Sequence, residues 1–80
     1  MTGQDILKKI TDAIEQFNRT HSTKFEAESI TSTSATSAAA VYWYGNSPYI
    51  ISGRVGSVIV ARNMRSDTTE YLDEFLETKR

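Results

Sequence analysis

Between Glu28 and Arg54 the chain carries no charged residue, and this gap most constrains what it can fold into. All the acidic residues lie outside it. Asp5, Asp12, Glu15, Glu26 and Glu28 precede it, and Asp67, Glu70, Asp73, Glu74 and Glu77 follow it. The uncharged stretch opens on Ser, Thr and Ala and ends on aromatic and aliphatic residues. It reads as a sheet interior flanked by two solvated helices; the competing reading is an interaction surface. At 80 residues the chain is expected to form a single compact α+β domain over residues 1–80. A chain of this size buries only about 60% of its unfolded surface. There is no cysteine to form a disulfide or a thiolate metal site, and the only histidine is His21, so neither a metal nor any other cofactor is expected. A net charge of −1 argues against a strongly basic nucleic-acid binder and against a strongly acidic DNA mimic. No apolar run is long enough to span a membrane. Met1-Thr2-Gly3-Gln4-Asp5 has no basic region leading into an apolar run, and a cytoplasmic location is expected.

The elements follow from periodicity. Ile6, Leu7, Ile10, Ala13, Ile14 and Phe17 fall on one face of a helix spanning Gly3 to Arg19, with Thr2 and Asp5 as its capping box. Asp5–Lys9 and Glu15–Arg19 are opposite charges four apart. Asn18, Thr20, His21 and Ser22 end the pattern. Lys24 to Ile30 alternates as a strand, with Glu26 and Glu28 opposite Phe25. Thr31 to Ala40 is open between strand, short helix and mobile loop. The strand is favoured by β-branched threonine and by the run into Val41-Tyr42-Trp43-Tyr44. Gly45-Asn46-Ser47-Pro48 predicts a turn, Tyr49 to Ser52 a strand, Gly53-Arg54-Val55-Gly56 a second turn and Ser57 to Arg62 another strand. Asp67 and Glu70 predict a capped final helix carrying Tyr71, Leu72, Phe75 and Leu76, with Lys79 and Arg80 at its negative end. The expected fold is therefore an N-terminal helix, an antiparallel meander of three to four strands and a C-terminal helix. Both faces of that meander are apolar. The two helices either cover one face each or share a face and leave the other for a partner.

Catalytic equipment is not evident. His21 reads as a solvated residue at a helix end, the serines lie outside any nucleophile-elbow context, and Gly53-Arg54-Val55-Gly56 lacks phosphate-cradle spacing. Glu26 and Glu28 are a carboxylate pair, but a chain this small offers little room for a buried cleft. A non-enzymatic protein that works through its surface is the expectation. The candidate protein-binding residues are Glu26, Glu28, Ser29, Ile30, Tyr42, Trp43 and Tyr44.

The helix opened by Thr2-Gly3-Gln4-Asp5-Ile6, followed by Lys24-Phe25-Glu26-Ala27-Glu28-Ser29-Ile30, resembles one element of the phage-type uracil-DNA glycosylase inhibitors. In those small proteins an N-terminal helix leads into a strand carrying Glu-Ser-Ile. The resemblance covers the first 30 or so residues, and its specific part is the tripeptide. It implies that Glu28 occupies the place of a DNA phosphate in the enzyme's cleft, with Ser29 as its hydrogen-bonding neighbour. The chain departs from that family in its near-neutral charge, in its Ser/Thr/Ala run and in ending on an amphipathic helix. The broader expectation is a phage or mobile-element inhibitor that blocks a host enzyme or defence complex, its partner being a nucleic-acid-processing enzyme. Two other readings stand beside it. One is a single-stranded nucleic-acid binder stacking bases on Trp43 and the tyrosines, with Arg54, Arg62 and Arg65 at the rim. The other is a self-associating module, such as a homodimer, that pairs uncovered sheet faces.

Overall fold

A computed structural model describes residues 2–21 and 24–79. Helix α1 (Gly3–His21) is followed by strands β1 (Phe25–Thr33), β2 (Ser37–Tyr44), β3 (Ser47–Arg54), β4 (Val60–Asn63) and β5 (Thr69–Tyr71), then by helix α2 (Leu72–Glu77). The strands form one five-stranded antiparallel sheet in sequence order. The α+β class and the helix–meander–helix order match the expectation, with one strand more than the predicted range.

The N-terminal capping box forms as the sequence predicts. Thr2 N–H donates to Asp5 Oδ2 at 2.8 Å, and Asp5 N–H donates to Thr2 Oγ1 at 3.4 Å. The bond from the Thr2 backbone holds the Asp5 carboxyl below its ordinary range. Of the expected i,i+4 pairs neither forms an ion pair among the described residues; Lys8–Asp12, at 3.1 Å, is the pair that does. Ile6, Ile10, Ile14 and Phe17 form the buried stripe of α1, and Leu7 and Ala13 flank it half-buried. The stripe lands on Ala38, Ala40 and Tyr42 of β2 and on Ile51 of β3. The two alanines let the helix approach the sheet closely, and Ile10 and Ile51 are fully enclosed.

Polar contacts fix both ends of α1. At the start, Gly3 N–H donates to the Ala35 carbonyl at 3.2 Å, and a Cβ on Gly3 would collide with the backbone carbonyls of Ser34 and Ser37. At the far end the Asn18 side chain acts as a strand neighbour: its Nδ2 donates to the Phe25 carbonyl and its Oδ1 accepts from Phe25 N–H, both at 3.1 Å. Asn18, which ends the apolar periodicity, thereby covers the outer edge of β1 where the strand begins. His21 stacks on Phe17 with centroids 4.3 Å apart. Ser22 and Arg80 lie outside the described residues.

Several local expectations are corrected. The open segment Thr31–Ala40 is neither one strand nor a helix. β1 continues to Thr33, Ser34–Thr36 turn, and β2 starts at Ser37. Ser34 Oγ organises that turn by accepting from Thr36 and Ser37 N–H. The first predicted turn shrinks to Gly45-Asn46, with Gly45 at φ 62, and Ser47 and Pro48 enter β3 opposite Tyr44 and Trp43. The second turn narrows to Val55-Gly56, Ser57–Ile59 is irregular, and only Val60–Asn63 pairs as β4. Asp67 does not cap the last helix. It sits at φ 61 in the β4–β5 turn and accepts from the Arg62 guanidinium, Nε at 2.7 Å. The β-branched Thr69 and its neighbours Glu70 and Tyr71 extend along β4 as an edge strand. Helix α2 begins only where Leu72 drops into the core and donates its N–H to the Ile59 carbonyl at 2.9 Å. It follows Tyr71, which provides no side-chain cap. Lys79 lies beyond the end of α2, its Nζ 5.4–5.6 Å from the ring centres of Tyr44, Tyr49 and Phe75.

Phe75 of α2 packs against Phe25 and Tyr49, which are also on the α1 side of the sheet. Both helices therefore cover the same face. Among the described residues no helix is long and apolar enough to cross a membrane.

Two stability measurements follow. By chemical denaturation, Ile51→Ala should lose about 2–5 kcal/mol, because a fully enclosed side chain leaves a cavity. Gly3→Ala should cost about 1–3 kcal/mol or more, despite alanine's helix propensity, because rigid backbone blocks the added methyl. In a pH series, Asp5 stabilises the fold at neutral pH and loses that contribution as pH falls through its lowered pKa, so Asp5→Asn should flatten the acid-side decline.

Candidate docking surface

The alternation of the strands divides the predicted contact residues between two faces. Along β2, Ala38, Ala40 and Tyr42 are buried under the helices, while Ser37, Ala39, Val41 and Trp43 point to the opposite face. Along β3, Tyr49 and Ile51 face the helices, while Pro48, Ile50, Ser52 and Arg54 face away. Cross-strand pairing aligns Trp43 with Pro48 and with Glu26, Val41 with Ile50, Ile50 with Arg62, and Ala39 with Ser52 and Ser32. The helix-free face is thus an apolar strip of Ala39, Val41, Trp43, Pro48, Ile50 and Val60. Glu26 and Glu28 border it on β1, and Arg62 borders it on β4. All six apolar residues are half-buried. Beyond the strip, Tyr71 and Val58 are 56% and 58% exposed.

Tyr42 is corrected as a docking residue, because it is only 5% exposed within the helix-covered core. Burial pushes its hydroxyl above its ordinary pKa, and the Glu15 carboxylate adds to that shift. Tyr44 also belongs to the helix side, tilted against Phe25 with centroids 4.6 Å apart. Tyr49 is buried beside Phe75. Of the four aromatics considered as a base-stacking platform, only Trp43 reaches the helix-free face.

Glu26 and Glu28 do lie together. Glu26 is exposed opposite Trp43, and the Glu28 carboxylate accepts the Trp43 indole N–H through Oε2. The geometry that brings Glu28 there is a bulge. Ala27 pairs with Tyr42 and Thr31 with Ala40, so Glu28, Ser29 and Ile30 together span the single residue Val41. A bulge adds local twist and re-aims the side chains it carries. Here it turns the Glu28 carboxylate toward the indole. The side chains of Ser29 and Ile30 lie outside what the structure describes. The bulge was not foreseeable from alternation, because the two added residues leave the strand's parity unchanged on either side.

A second feature went unread in the sequence. At one end of the open face Ser32, Ser37, Ser52, Arg54 and Ser57 line a shallow hollow with Val60. These residues come from four strands and a loop, and only the sheet register unites them.

Comparison with models of known families, with curated proteins and with solved structures finds no match to this chain.

The Trp43–Glu28 bond has a direct readout, because Trp43 is the only tryptophan. Glu28→Ala should shift its fluorescence to longer wavelength and cost about 1 kcal/mol of stability. Glu28→Gln keeps an acceptor and should leave the emission near that of the parent chain.

Proposed function

We propose that this chain is a small, non-catalytic protein-binding module that docks through the helix-free face of its sheet. The observation that carries this reading is the placement of Trp43. A large aromatic, half-buried and oriented by a hydrogen bond to Glu28, stands at the border of an uncovered apolar strip and a pair of carboxylates. Tryptophan in such a setting is the residue type most often found at the energetic centre of protein interfaces. The orienting bond reduces the rotamer freedom that binding would otherwise have to remove. The segregation of Tyr42, Tyr44 and Tyr49 to the covered face favours a protein partner over a nucleic acid, which is held by several exposed rings along its path.

In its specific form the proposal is a cytoplasmic inhibitor from a phage or mobile element that occupies a host enzyme, with Glu28 and Glu26 presented to a basic cleft. For the uracil-DNA glycosylase version, Glu28 takes the position of a phosphate. Uracil release should then stop when the protein is added in molar excess, and Glu28→Ala should restore it; undiminished release at large excess ends that version. The broader reading predicts that Trp43→Ala weakens binding to a partner by about 2 kcal/mol, roughly thirtyfold, while the circular dichroism of the fold is kept. Binding indifferent to Trp43→Ala and to Ile50→Lys would remove the helix-free face as the docking surface.

A further inference from the structure

We infer that the helix-free face is built to take a second copy of this chain, face to face, as a two-fold symmetric sandwich. The inference rests on the reading of that face as a docking surface, and it names the occupant. What carries it is the order of side chains across the sheet. The row through the middle of the face runs from the Glu28 bulge on β1 to Val41 on β2, Ile50 on β3 and Arg62 on β4. Over these four strands it is acid, apolar, apolar, base, with the midpoint between β2 and β3; Thr69 of β5 continues the row beyond Arg62 with an uncharged side chain. Neighbouring strands lie about 4.8 Å apart, so the acid and the base sit about 14 Å from each other at opposite margins.

A symmetric pair of sheets must bring each surface point onto its own image. Two in-plane axes are available. An axis perpendicular to the strands lays β1 over the partner's β1 and sets Glu26 and Glu28 against their own copies, which like-charge repulsion opposes. An axis parallel to the strands, between β2 and β3, lays each margin over the opposite one. Val41 then covers the partner's Ile50, Glu28 meets the partner's Arg62, and Trp43 lies on the partner's Pro48. The adjacent acid, Glu26, falls toward the partner's Met64 and Arg65. In each chain Met64 is 53% exposed, and Arg65 is held beside the β2–β3 turn by its bond to the Asn46 carbonyl. Charge thus selects one axis, and that axis also superimposes apolar on apolar. Two such faces would pack as aligned sheets about 10 Å apart, with the helices outermost.

Each margin has chemistry left for this contact. Glu26 makes no hydrogen bond or ion pair among the described residues. Arg62 uses its Nε and one terminal nitrogen on Asp67 Oδ1 alone, which leaves the rest of its fork of donors for a second carboxylate.

Sedimentation equilibrium on the full chain tests the inference, using four proteins: the parent chain, Ile50→Lys, Arg62→Glu, and the charge swap Glu28→Arg with Arg62→Glu. The parent should be a dimer. Ile50→Lys, which places two lysines near the axis, should weaken it on the order of a hundredfold. Arg62→Glu should weaken it on the order of tenfold, and the swap should recover most of that loss. Circular dichroism of each variant checks that the fold is kept. Trp43 emission should move to shorter wavelength as the parent associates. A parent chain that stays monomeric at about 1 mM overturns the inference. So does a dimer indifferent to Ile50→Lys, or a swap no better than Arg62→Glu alone. If the parent is monomeric but Ile50→Lys abolishes binding to a different protein, the docking surface stands and only its occupant has been misassigned.

Discussion

The stripe of Ile6, Ile10, Ile14 and Phe17 pressed on Ala38, Ala40, Tyr42 and Ile51 is the contact on which the rest of the molecule depends. Alanine at two of the facing positions lets the helix sit low on the two central strands. Its ends are then fixed by backbone contact at Gly3 and by the Asn18 side chain on Phe25. Once α1 occupies the centre of that face, the space left beside it is bounded by Phe25 and Tyr49, and Phe75 of α2 fills it. Both helices end on one side because the aromatic pocket that accepts α2 exists only there.

The consequence is an asymmetric sheet. One face carries the core, and the other presents Trp43, Val41, Ile50 and Val60 between a carboxylate margin and a guanidinium margin. An antiparallel sheet with one wet face commonly alternates apolar and polar residues cleanly. This chain does so at the margins, with Glu26, Ser32 and Arg62, but not in the middle. The departure from clean alternation is what makes the face a candidate for covering by another protein. The Glu28 bulge belongs to the same arrangement, since it joins the acidic margin to Trp43, the aromatic side chain at the centre of the sheet on that face.

Much of this was legible from local signals. The α1 stripe and its capping box follow from spacing within one turn of helix, and the strands around Gly45 and Gly56 follow from turn chemistry. Glu26 and Glu28 could be placed opposite Phe25 by alternation alone. Local signals mislead where two of them compete. Asp67 and Glu70 have the spacing of a helix cap, yet the Thr69 segment gained more by pairing with β4, and Asp67 went to Arg62 instead. Tyr42 and Tyr44 alternate with Trp43 along β2, and with both faces apolar the strand alone does not say which of the two the helices cover.

The sequence by itself determined α1, the strands of the meander up to β4 and which side chains share a face within each, because these depend on contacts a few residues apart. Only the tertiary structure decided which face the helices cover, how β1 slips past β2 at Glu28, and that Glu28 meets the indole of Trp43. Those outcomes depend on cross-strand register and on competition for a single apolar pocket, and such competition is resolved only when distant segments are packed together.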